Sequence, residues 1–407
     1  MSMGTIQNIK NSIITGLLLL ASSIVLGQTH RYNTNFSYSL HNFVDTIPVD
    51  YQDGQLFVTA TVGGRLHRFC IDTGSGQGSI FDRSALTSDL ENGGQPNGIK
   101  ELGNVVSRDA AGHLDTVKVV QLPPFQIGHL TVTGYVASVF HSAIRRSYDA
   151  ILGFDLINKG LCCKIDTQKG IMVITDRRDF FDGEPGFALH YELKWWVPYV
   201  TVSPFKRHYD EVLFDTGSKL LYTMNKQSFD EHAYKSKNVN SQVVDRVKGN
   251  IAIGNIGAER TDEVAFLRLN RLKWDDFSFL NVSTVTTQGA SRIGAEMLSY
   301  GSVIINGFRR YIRFQPYEGG DSVMVNNKPL TTAYVPTPDG MAQVGLILPS
   351  SSDYKAGLRQ GDIILAIDGK AIASFTAFQQ YPFTEGKKHK LLVRTTDGKN
   401  KEVIVTK

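Results

Sequence analysis

Two copies of one tetrapeptide, Asp72-Thr73-Gly74-Ser75 and Asp215-Thr216-Gly217-Ser218, are the residues of this 407-residue chain whose types and spacing could do chemistry. Each follows an apolar run, Phe69-Cys70-Ile71 or Val212-Leu213-Phe214, so each carboxyl is expected at a strand end, on a turn where Gly permits close approach. Two carboxylates roughly 3 Å apart cannot both ionise cheaply, so a pair brought together shares one proton near neutral pH. The ionised partner can then take a proton from a water held between them, while the protonated partner polarises a peptide carbonyl. Such a dyad titrates as a unit and needs neither metal nor cofactor. Gly74 and Gly217 leave backbone N–H groups near the carboxyls, and Thr73 and Thr216 can fix the two loops against each other. Ser75 and Ser218 are expected to donate hydrogen bonds to the carboxylates. One Asp-Thr-Gly-Ser segment alone is equally what an Asx turn after a strand looks like; two in register inside a repeat are a matched pair.

The repeat is visible in the spacing. Asp215 follows Asp72 by 143 residues, Leu267-x-Leu269-x-x-Leu272-x-Trp274 follows Phe125-x-Ile127-x-x-Leu130-x-Val132 by 142, and Gly294 follows Gly153 by 141. A steady offset means tandem lobes built on one plan. Alternating apolar residues from Ile47 to Val62, the Gly63-Gly64 turn and the returning strand deliver Asp72. A Gly-rich hairpin near Arg108 to His113 is placed to close over a cleft, and Val247 to Glu263 is its counterpart in the second lobe. The expected organisation is all-β: a signal peptide at 1–27, a loose lead-in at 28–45, lobe 1 at 46–178, lobe 2 at 190–316, and a small β unit at 325–407. The polar stretch Glu318-Gly319-Gly320-Asp321 with Asn326-Asn327 is expected to be a mobile linker.

Bulk properties narrow the class. The net charge is only +4 and the 43 Lys and Arg are scattered, which argues against a nucleic-acid face. Lys10 followed by the apolar run Ile13 to Ala21 and small residues up to Gly27 reads as an export signal, with no membrane span left after cleavage. The destination is the periplasm or the exterior. Cys70, Cys162 and Cys163 cannot make a disulfide scaffold; either one bridge from Cys70 to the adjacent pair or three buried thiols fits. No His or Cys pair has metal-ligand spacing, and neither Ser75 nor Ser218 sits in a Gly-x-Ser-x-Gly elbow.

With these motifs in hand, residues 46–316 resemble an aspartic protease of the pepsin and retropepsin superfamily with both lobes on one chain. Ile151-Leu152-Gly153 matches the family's apolar pair and Gly beside the first Asp loop, and Arg292-Ile293-Gly294 matches less well, with Arg292 in an apolar place. Gly153-Phe154-Asp155-Leu156 and Gly294-Ala295-Glu296-Met297-Leu298 look more like the retroviral and bacterial branch. A flap tyrosine of the pepsin type has no counterpart between residues 83 and 134. The resemblance implies two tandem β lobes forming a pseudo-dimer, Asp72 and Asp215 as the catalytic pair, an endopeptidase acting on peptides or unfolded proteins, and a monomer with an internal pseudo-two-fold. Ala356-Gly357-Leu358-x-x-Gly361-Asp362 through Ile367-Asp368-Gly369 resembles a PDZ domain of bacterial exported proteases, which implies a C-terminal peptide ligand. Pro382 is expected to cut short the groove helix that begins near Phe375. The competing class is a catalytically silent scaffold that only binds peptides.

Overall fold

The computed structural model describes residues 35–406 apart from 53, 83, 93–97 and 142–145. The export signal expected at 1–27 lies outside the described residues. The chain is mostly β, with short helices.

In the first half, Val44–Gln52, Gln55–Val62 and Arg65–Asp72 form an antiparallel run, and Gly63 and Gly64 turn the second hairpin with φ of 57° and 82°. Positive φ at both central residues suits the right-handed strand twist, and glycine adopts it without strain. The third strand starts exposed and ends buried, because Phe69, Cys70 and Ile71 carry it into the core. There it pairs in parallel with Ala150–Gly153, with Gly153 opposite Asp72. In the second half Val197–Phe205 and His208–Asp215 repeat the hairpin, and Arg292–Gly294 lies parallel to the latter with Gly294 opposite Asp215.

The halves share a run of six strands in the order Phe187–His190, Tyr311–Pro316, Gly301–Asn306, Cys162–Asp166, Ile171–Thr175 and Val44–Gln52. Its central pair, Cys162–Asp166 with Gly301–Asn306, joins one half to the other. One apolar core runs through both, from Phe69, Ile71 and Phe154 to Phe214, Ile293 and Phe314. The segment 28–45 is not uniformly loose: Phe36 is buried and Ser37–Tyr38 pairs with Leu130–Thr133, because an aromatic side chain has a core to enter there.

The three thiols are free and buried, so the single-bridge alternative is overturned. The linker expectation is also corrected. Ser322–Met324 adds in parallel to Phe277–Thr287, Val325 is fully buried, and Asn327 exchanges two hydrogen bonds with the Ser283 backbone.

Beyond it, Thr332–Pro336, Ala342–Ile347, Ile363–Ile367, Lys388–Arg394 and Asn400–Thr406 form a separate sheet over their own core, which includes Val344, Leu358, Ile364, Phe375 and Leu391. The Phe375–Gln379 helix is capped by the Ser374 side chain, which accepts from the Ala377 N–H, and it ends before Pro382.

Candidate active site

Both Asp-Thr-Gly loops lie at the floor of a cavity of about 810 Å³. Thr73 N–H donates to Thr216 Oγ1 at 3.1 Å, and Thr216 N–H donates to Thr73 Oγ1 at 3.0 Å. Each hydroxyl then donates across the pair, Thr73 to the Phe214 carbonyl and Thr216 to the Ile71 carbonyl, both at 2.7 Å. Four reciprocal bonds among buried groups, each worth about 1 kcal/mol net, fix the loops relative to each other.

Gly74 N–H donates to Asp72 Oδ1 at 2.9 Å, and Gly217 N–H donates to Asp215 Oδ1 at 3.0 Å. A Cβ on Gly74 would fall 2.4 Å from the Asp215 carboxyl, and one on Gly217 would fall 2.5 Å from that of Asp72. Each carboxyl therefore lies over the opposite glycine, and no larger residue leaves room for it. Asp215 is buried, whereas Asp72 sits deep among protein atoms with one edge open to the cavity. Burial first, then the charge of Asp215 and the hydrogen bond between the two carboxyls, hold Asp72 well above the ordinary carboxylate range; Gly74 N–H and Arg292 oppose that rise.

Ser75 does not reach the carboxylate. Its hydroxyl donates to the Gln77 carbonyl at 2.7 Å, since the turn carries the side chain away from Asp72. Ser218 lines the cavity.

Arg292 is the departure in the second loop's supporting strand. Its Nε lies 3.1 Å from Asp215 Oδ2, within ion-pair distance but without an aligned hydrogen bond, and its Nη2 donates to the Ala110 carbonyl at 3.1 Å. Ala110 belongs to the turn joining Lys100–Arg108 to Leu114–Gln121, so this hairpin tip reaches over the dyad. The arginine was visible in the sequence as an oddity; its partner was not, because the contact crosses between the halves.

Two further residues escaped the sequence. Tyr135 donates to Asp155 Oδ1 at 2.8 Å and accepts from Gly153 N–H at 3.1 Å, which braces the strand beside Asp72. Arg146 Nη2 reaches Gly254 O and Asn255 Oδ1 at the cavity rim. A shallower depression of about 700 Å³ at Asn225, Lys226, Asp230 and Asp262 contains neither dyad aspartate.

The sequence profile of the PDZ domain matches residues 321–394. The C-terminal unit is a PDZ domain. A PDZ domain implies binding of peptide ligands. No curated protein matches the chain. Among the described residues, no helix is long and apolar enough to cross a membrane.

Proposed function

We propose that the chain is an exported aspartic-type endopeptidase in which two pepsin- and retropepsin-like lobes, about 46–178 and 190–316, each supply one aspartate. The observation that carries this reading is the placement of each carboxyl over the opposite glycine, with the two threonines bonded reciprocally beneath. An ordinary Asx turn needs no such partner. A water between Asp72 and Asp215 loses a proton to the ionised carboxyl and attacks the peptide carbon, while the protonated carboxyl donates to the carbonyl oxygen. Collapse of the tetrahedral species then returns a proton to the leaving nitrogen. The substrate is a peptide or an unfolded protein chain.

The test uses protein from Gln28 onward, incubated with an unfolded protein between about pH 3 and pH 7, where one carboxyl of such a pair is protonated. Cleavage that a statine-type transition-state analogue blocks supports the reading. Asp72→Asn and Asp215→Asn each lower turnover by more than about a hundredfold with the circular dichroism unchanged, since either removes the shared-proton pair with little change in volume. Residual activity above that level in either variant overturns the mechanism.

The silent peptide-binding scaffold is favoured by one observation, the Arg292 guanidinium against Asp215. It predicts that peptides bind and are recovered intact across the same pH range.

A further inference from the structure

Residues 250–259 join the strands Val243–Gly249 and Asp262–Trp274 and lie between the dyad cavity and the PDZ domain. Their conformation is built in rather than loose. Glu259 is buried, with Oε1 accepting from the N–H groups of Ile251 and Ala252 and Oε2 from Thr287 Oγ1 and Gln288 N–H. Gly254 N–H donates to Gly257 O, and Ile253 pairs with Ala258. The loop is thus a short stiff hairpin with isoleucines projecting from it.

Those isoleucines enter two different partners. Ile256 packs against the first half's cluster that runs from Val105 and Val117 of the hairpin to Phe57, Cys70 and Ile151, and its N–H donates to Asp109 Oδ2 of the hairpin tip. Ile253 packs against the PDZ core that holds Ala342 and Phe375. Asn250 N–H donates to Gly345 O of the PDZ strand Ala342–Ile347, and Ile251 joins Ala333, Leu346 and Leu348 in a shared apolar cluster. The dyad cavity itself runs from Asp72 and Asp215 past Ile253 to Ala333 on the PDZ strand Thr332–Pro336 and to Phe375, Thr376 and Gln379 on the helix Phe375–Gln379.

We infer that residues 250–257 are an internal ligand of the PDZ domain, a latch that docks it against the cleft, and that an extended peptide bearing an aliphatic side chain releases it by displacing Ile253. This reading rests on the protease proposal only for its effect on turnover. The latch gives the PDZ domain an aliphatic side chain, Ile253, packed on the core that the helix Phe375–Gln379 covers, which is what such a domain takes from a peptide; its one backbone bond, Asn250 N–H to Gly345 O, falls at the bulge between Thr332–Pro336 and Ala342–Ile347. Since Ile253 and Ile256 are three residues apart on one stiff hairpin, moving the first out of the PDZ domain shifts the second against the first half's cluster and the hairpin tip that reaches over the dyad. The ligand binds less tightly to the latched chain in proportion to the fraction unlatched, so a latch closed nine-tenths of the time weakens it about tenfold.

The experiment uses the full chain and Ile253→Asp, a partly exposed position whose change leaves the buried Glu259 anchor in place. A fluorescein-labelled octapeptide ending in Val-Ile is titrated by anisotropy beside the same peptide ending in Val-Asp, and amide exchange is followed at residues 250–259. The expected result is about tenfold tighter binding of the Val-Ile peptide to Ile253→Asp than to the wild type, faster exchange at 250–259 when the peptide binds the wild type, and weak binding of the Val-Asp peptide. Equal affinity for the two proteins overturns the inference. So does binding without a change in exchange, equal binding of the two peptides, or binding of neither. Hydrolysis of a short quenched peptide is measured in parallel. If the binding and exchange results hold while neither protein cleaves, the latch stands and the protease reading falls; if both proteins cleave and the peptide changes nothing, the reverse is true.

Discussion

Arg292 makes the aspartate pair asymmetric. A guanidinium 3.1 Å from Asp215 Oδ2 favours every state in which the pair has lost a proton, and it lowers Asp72 against the larger effects of burial and the neighbouring carboxylate. Arg292→Gln removes that charge and keeps a group able to reach Ala110 O. Each proton then leaves the pair less readily, so under the proposed protease mechanism both limbs of the pH profile of kcat/KM move to higher pH; limbs that stay put or move down contradict the pairing. Asp155 offers a separate titration that reads on stability. It is buried next to Tyr135, its Oδ2 has no hydrogen-bond partner, and burial above all pushes it from 3.8 to about 8. Between those values the folded chain holds a proton that the unfolded chain has lost, so stability falls as pH rises through this window and is flat above it. At about 1.4 kcal/mol for each pH unit crossed in that window, the cost reaches several kcal/mol. Asp155→Asn removes the slope, so thermal melts from pH 4 to pH 9 should show a variant that gains on the wild type as pH rises. Parallel curves refute it.

At the scale of elements, the two Asp-Thr-Gly loops form one unit because their threonines bond across the gap. Thr73→Val removes the hydroxyl that accepts from Thr216 N–H and donates to Phe214 O, leaving both groups buried without that partner. The expected loss is roughly 2–4 kcal/mol by the cost of stranding buried polar groups. Thr216→Val strands a separate mirror set, Thr73 N–H and Ile71 O; because the first substitution already loosens the two loops from each other, the second costs less than the first in a double-mutant cycle, and strict additivity in urea melts means that the loops are not coupled. This much was legible beforehand, since two identical motifs at a fixed offset imply facing loops, and the Gly63-Gly64 turn and the short helix before Pro382 follow from local chemistry. What escaped was set by distant contacts. The Ser75 hydroxyl is taken up by Gln77 O, a detail of one turn. Glu318 to Asn327 has a loop's composition, yet Ser322–Met324 adds to a sheet and Val325 is buried, because an open strand edge at Phe277–Thr287 accepts three residues that carry no alternation of their own. Val247 to Glu263 reads as the second lobe's Gly-rich flap, but nothing in its order reveals that Glu259 folds 250–259 into a stiff hairpin against the PDZ domain.

The whole molecule is one assembly rather than a catalytic body with a tethered appendage. Val264, Phe266 and Val285 of the second half share a cluster with Ala333, Leu346 and Leu348 of the PDZ domain, and a Cβ on Gly249 would fall 2.3 Å from Leu346 Cδ1. The flexible-tether view predicts that cutting the chain after Val323 changes little beyond the capture of large substrates. The docked arrangement predicts otherwise. Truncation strips Leu330, Ala333, Leu346 and Leu348 from that cluster, removes buried Val325, and deprives the 250–259 hairpin of the Asn250 bond to Gly345. Uncovering three large apolar side chains in part, at about 1.5–3 kcal/mol for full exposure of each, costs on the order of 3–5 kcal/mol. The truncated chain should melt several degrees lower, bind a hydrophobic dye, and exchange amides faster at 250–259 than at the six-stranded run that joins the halves. Under the proposed protease reading, turnover of a short peptide should change as well, because the hairpin between the PDZ domain and the first half's hairpin tip has lost one of its two holds. An unchanged melting temperature together with unchanged short-peptide kinetics would restore the tether view and remove the PDZ domain from any account of the cleft.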